Sequence, residues 1–107
     1  MSYDIELTNL AAKQLKKMDG SVKQMLLKGI KRLAERGDTI GKPLGGELAG
    51  CRELKFRADG LRLIYTIDNG KIVITILTMA KREDDVVFQM ALNELKKEIA
   101  AAWSSSR

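Results

Sequence analysis

CRELKFRADGLRLIYTIDNGKIVITILTMAKR, residues Cys51 to Arg82, carries two turn signals set among alternating apolar and polar runs. Asp59-Gly60 and Asn69-Gly70 are dipeptides that accept the positive φ angles of a two-residue hairpin turn, so they predict three antiparallel strands in succession. With those turns Ala58 opposes Leu61, Phe56 meets Leu63 and Leu54 meets Tyr65. In the second hairpin Ile67 meets Ile72, Tyr65 meets Ile74 and Leu63 meets Ile76. One face is then continuously apolar, and the other receives Glu53, Lys55, Arg57 and Arg62. A slip of one residue would exchange the faces, so hydrophobic pattern and turn chemistry agree. The predicted register sets Arg57 opposite Arg62 with Lys55 one step away, a like-charge arrangement costing roughly some tenths of a kcal/mol. A polyanion would relieve that repulsion, although a polar outer face is also the default for an antiparallel sheet.

The rest of the chain bounds what such a face can do. The 107 residues suit one domain with a modest core, and 45% hydrophobic with 31% charged residues describes a globular chain. Nineteen Lys plus Arg against fourteen Asp plus Glu leave a net charge of +5, which favours anionic partners. No apolar run is long enough to span a bilayer and MSYDIELTNL lacks the features of a secretory signal, so a cytoplasmic location is expected. The single cysteine, Cys51, heads a strand and reads as a small buried hydrophobe. Without histidine, and with one cysteine, the chain is expected to use no metal and no cofactor. The one dense carboxylate run, Glu83-Asp84-Asp85, reads as the acidic first turn of a helix.

Tyr3 to Leu7 alternates as a short strand, and Thr8 is placed to cap a helix with Ala11, Leu15 and Met18 at helical spacing. Ser21 with Gln24 reads as a capping box opening a second helix, whose stripe runs through Val22, Met25, Leu26, Ile30, Leu33 and Ala34 and which Gly37 closes. Gly41 to Gly50, with the only proline, is a loop without P-loop spacing. A last helix carries Phe88, Ala91, Leu92, Leu95 and Ile99 on one side, with Ala102 or Trp103 continuing it toward core or partner. The expected fold is a compact α+β domain over residues 1–103, ordered β-α-α-β-β-β-α. An antiparallel sheet packs on a helical hairpin, the charged face is open, and residues 104–107 form a frayed tail.

The element order, the block CRELKFRADGLRLIY and the later MAKRED resemble the RelE/ParE toxin superfamily, in particular its RelE-like members, over about Tyr3 to Leu95. The shared pattern is a strand ending in Lys-x-Arg, a short turn, a Tyr-closed strand Gly-x-Arg-Leu-x-Tyr and a terminal Lys-Arg-Glu. The resemblance implies a microbial-RNase-like fold and metal-independent cleavage of messenger RNA in the A site of the 70S ribosome. It also implies restraint by a cognate antitoxin. Carried over by position, it assigns Lys55, Arg62 and Arg82 to the scissile phosphate; Arg52, Arg57, Lys81 and Phe88 are further candidates for RNA contact. Two positions depart from it: Glu53 stands where RelE members carry lysine, and Phe88 where they carry tyrosine.

Each departure leaves two readings open. Glu53 shares the face of Lys55 and Arg62, so it is either a general base toward the 2′-hydroxyl or a cross-strand charge partner. Phe88 either stacks on a base or joins the core of the last helix. A ParE-like toxin that binds DNA gyrase and cuts nothing is the competing function, with a degenerate RNA-binding toxin behind it, because fold alone does not separate them.

Overall fold

The computed structural model describes residues 2–56, 60–81 and 86–105. The chain runs β1 (Asp4–Leu7), α1 (Asn9–Lys17), α2 (Gly20–Arg36), β2 (Lys42–Pro43), a 3-10 turn (Gly46–Leu48), β3 (Cys51–Phe56), β4 (Leu61–Asp68), β5 (Val73–Lys81) and α3 (Val86–Ser105). The expected α+β class holds, and the expected element order gains a short strand, β2, and a 3-10 turn within the Gly41–Gly50 stretch read as a loop, so the sheet is larger than the three central strands. Five strands lie in the order β1-β5-β4-β3-β2, with β1 parallel to β5 and the other pairs antiparallel.

Both hairpins differ from the predicted register. Phe56 pairs with Leu61 and Lys55 with Arg62, two residues away from the predicted pairing, while Arg57, Ala58 and Asp59 of the predicted turn lie outside the described residues. Asp68 pairs with Val73, which gives the second turn to Asn69 through Ile72. There the Asp68 carboxylate accepts from the backbone N–H groups of Gly70 (3.0 Å) and Lys71 (3.2 Å), a side-chain-built turn that competes with the tight Asn-Gly turn. Ile72 closes it at φ 58°, an uncommon conformation for a β-branched residue. Each change displaces the pairing by two, and a shift of two keeps every side chain on its face. A bulge beside Ile64 and Tyr65 then moves the far end of β5 by one more, pairing Tyr65 with Ile76 but Ile64 with Thr78.

The apolar face is the expected one. Leu54, Phe56, Leu63, Tyr65, Ile74 and Ile76 pack with Ala11, Leu26 and Leu33 of the helical hairpin. Thr8 caps α1 as predicted, its hydroxyl oxygen accepting from the Ala11 N–H at 3.0 Å while donating to the Leu77 carbonyl at 2.7 Å. The start of α2 is corrected: Asp19 is its N-cap, accepting from the Val22 N–H at 3.0 Å, and Ser21 donates to Asp19. Aspartate reaches the orphan N–H groups of the first turn directly, so the Ser21 box is not needed.

The other face is not open. The apolar side of α3 and the 3-10 turn cover it, joining Leu48, Cys51, Ile64, Leu77, Val87 and Ala91 in a second core cluster. Burial pushes the Cys51 thiol above its ordinary pKa. Helix α3 runs through Ser105, and the side chain of Trp103 lies outside the described residues. Among the described residues no helix is long and apolar enough to cross a membrane.

Tyr65 ties the α2–β2 connection to the sheet. Its hydroxyl lies 2.9 Å from the Gly37 carbonyl and 2.8 Å from that of Ile40. Burial raises its pKa, with Arg52 opposing that shift. Tyr65→Phe removes the donor while leaving the ring in place, so it should cost about 1–2 kcal/mol in urea unfolding. An unchanged midpoint would show that water satisfies those carbonyls equally well.

Candidate active site

Strand alternation and the observed register bring Lys55 on β3 and Arg62 on β4 directly opposite one another. Glu53 precedes Lys55 by one pleat on the same face, and Ala80 of β5 flanks Arg62 on its other side. A small residue at Ala80 leaves room over the row, which α3 fills with Phe88. The Arg62 guanidinium carbon sits 5.3 Å from the centre of the Phe88 ring, within cation–π range.

Burial distinguishes the charges sharply. Glu53 is 4% exposed and Arg62 8%, whereas half of the Lys55 side chain reaches solvent. Arg62 Nη1 lies 3.2 Å from Glu53 Oε2, and Lys55 Nζ lies 3.9 Å from Oε1. The shorter contact is a charge pair without a well-aligned hydrogen bond: among the described residues neither Glu53 Oε2 nor Arg62 Nε has a hydrogen-bond partner. The site therefore combines an accessible cation with a rigid buried one, both leaning on a single carboxylate.

Phe88 is half-buried: it packs against the second core cluster and borders a groove. That groove, about 370 Å³, runs along Leu44, Glu47, Leu48, Gln89 and Leu92. The Gly-rich segment supplies one wall of it, a contribution that its composition did not announce.

Arg52 does not join this group. It pairs with Tyr65 on the opposite face, and its guanidinium donates to the Ile40 (3.1 Å) and Gly41 (3.0 Å) carbonyls. Its observed task is to brace the loop entering β2. Lys81 ends β5 opposite Leu61, with its side chain outside the description. Arg57, Arg82 and the Glu83-Asp84-Asp85 run fall outside the described residues. Among the described residues no group of three or more His, Cys, Asp or Glu is arranged to hold a metal ion.

Comparison with known proteins assigns this two-sided α+β chain to a class of small toxins. The family model for the ParE toxin of type II toxin–antitoxin systems, parDE, matches residues 5–86. A putative RelE-like toxin protein of Escherichia coli is 26% identical over 96 residues, covering 90% of this chain and all of that protein. The mRNA interferase toxin RelE of Escherichia coli K12 is 26% identical over 95 residues, covering 89% of this chain and 99% of the relative. In structure, an arginine double mutant of E. coli toxin RelE in the free state superposes with a TM-score of 0.76 at 26% identity, covering 87% of this chain and 97% of the other. The toxin of the intact E. coli RelBE toxin–antitoxin complex gives 0.70 at 26% identity, covering 77% and 99%. The chain belongs to the ParE toxin family, within the RelE/ParE superfamily.

Proposed function

We propose that this protein is the toxin of a type II toxin–antitoxin pair and cuts messenger RNA in the ribosomal A site without a metal. The observation that carries this reading is the Lys55–Arg62 pair, an accessible and a buried cation opposed across β3 and β4. In the proposed step a 2′-hydroxyl oxygen gives its proton to solvent and attacks the adjacent phosphorus, and the bond to the 5′ oxygen breaks as that oxygen takes up a proton. A 2′,3′-cyclic phosphate and a free 5′-hydroxyl result. Charge grows on the non-bridging oxygens, where preorganised cations in a water-poor site stabilise it most. Arg62, held by Glu53 and Phe88, offers a planar donor fork; Lys55 brings a compact mobile charge. Arg82 is assigned to the leaving 5′ oxygen, and Arg57, Lys81 and Phe88 to RNA contact.

Glu53 suits a charge partner better than a general base, because its carboxylate is buried against two cations. Arg52 is left out of the RNA contacts for the loop-bracing reason given above. The partner that restrains the toxin is a cognate antitoxin, in keeping with relatives whose structures are toxin–antitoxin complexes, and the working location is the cytoplasm.

A gyrase-directed activity without cleavage is the second reading. The match to the ParE family model favours it, as does the acidic residue set among the cations. Inducible expression followed by primer extension on messenger RNA separates the two. Growth arrest with new cuts in reading frame supports the nuclease; arrest without cuts, together with inhibited gyrase supercoiling, would replace it.

A further inference from the structure

We infer that the Glu53 carboxylate is a built-in counter-anion for Arg62, standing in the free protein where a substrate phosphate engages, so that phosphate binding exchanges one anion for another. The inference rests on the reading of this face as a phosphate site and adds a reason for the acidic residue at its centre.

A guanidinium as buried as that of Arg62 needs an anion beside it in every state, since leaving such a charge uncompensated is strongly destabilising. Glu53 meets that need only in part. Its Oε2 neutralises Arg62 from 3.2 Å, yet the contact is off the donor direction and Arg62 Nε lacks an acceptor among the described residues. The fork is charge-compensated without being hydrogen-bonded in full. A phosphate group has tetrahedral acceptor oxygens that match such a fork.

Lys55 converges on the same carboxylate from 3.9 Å, so two cations share one anion, the disposition suited to a single phosphoryl group. On the other side Phe88 fixes the guanidinium at 5.3 Å. Glu53 is thus a positioning residue: it keeps Arg62 in place and its charge covered until a phosphate is delivered.

The test measures thermal unfolding of the wild type, Glu53→Gln and the double variant Glu53→Gln/Arg62→Gln against inorganic phosphate, with sodium chloride matching ionic strength. Glu53→Gln should melt below wild type in chloride and recover by about 4 °C or more in phosphate. The wild type should respond less, and the double variant should not respond specifically. Equal phosphate shifts in wild type and Glu53→Gln would overturn the inference, and so would a double variant responding like Glu53→Gln. If Glu53→Gln does not fold in chloride, refolding from urea decides: recovery in phosphate alone supports the exchange, and failure in both salts overturns it. Ribosome-dependent cleavage by the wild type is scored separately. Its absence beside an intact phosphate response rejects the nuclease alone, and cleavage without that response rejects the exchange alone.

Discussion

Arg62→Ala is expected to lower messenger RNA cleavage by about 10²–10³-fold, the usual loss when a preorganised charge donor is removed from a developing oxyanion. The same substitution leaves Glu53, 4% exposed, with Lys55 at 3.9 Å as its one cation among the described residues, and breaking a buried pair in this way costs about 3–5 kcal/mol. Activity loss alone would therefore be ambiguous. Lys55→Ala resolves the ambiguity, because that side chain is half exposed and its contact with Glu53 is long. Its removal should leave stability within about 1 kcal/mol of wild type while cleavage falls comparably. Arg62→Ala combined with Glu53→Ala should regain much of the lost stability and none of the activity. Full cleavage by folded Lys55→Ala, or by the double variant, would remove these cations from the reaction.

Gly41→Ala should destabilise the domain by about 2–4 kcal/mol, combining left-handed strain with the loss of buried hydrogen bonds. Gly41 has φ 78°, and an added Cβ would stand 2.6 Å from the Tyr65 hydroxyl and 3.0 Å from the Glu53 carbonyl oxygen. Tyr65 cannot yield cheaply, since the hydroxyl that would be struck is the one bridging the Gly37 and Ile40 carbonyls. The Glu53 backbone is the alternative to give way, which would carry the disturbance into the Arg62 pair. Urea unfolding of Gly41→Ala, Tyr65→Phe and both together tests this. Tyr65→Phe removes the struck atom, so the double variant should be more stable than the sum of the single effects predicts. Strict additivity would mean that the cost is backbone strain alone.

How far residues disclose structure differs along the chain. Leu54, Phe56, Leu63 and Tyr65 reached the predicted face although each hairpin pairs two residues away from the predicted register. Alternation specifies parity strongly, whereas a two-residue displacement keeps parity and escapes any test based on pattern. Asp68 supplied the missing signal at one turn, since its side chain satisfies two backbone N–H groups and so favours the longer connection. Arg52 was legible by the same alternation: it shares parity with Leu54 and Phe56, not with Lys55, which sets it apart from the expected RNA contacts.

The charged face shows the other limit. Glu53, Lys55 and Arg62 were grouped from sequence and are grouped in the structure. The burial of Glu53 and Arg62 was not readable, because an amphipathic helix announces an apolar side without naming the surface it will cover.

Taken alone, the residues of this chain determined the α+β order, the caps of short reach such as Thr8, the apolar parity of the central strands and the gathering of Lys55, Arg62 and Glu53 on one side. These follow from periodicities and contacts spanning a few residues. Tertiary structure decided the sliding of the hairpins, the parallel pairing of β1 with β5 and the docking of α3 over the charged face. It thereby turned a row of surface charges into a buried Arg62 held between Glu53 and Phe88. The physical reason is that burial and desolvation depend on which surfaces meet across long sequence separations, and the strength of an ion pair depends in turn on that burial.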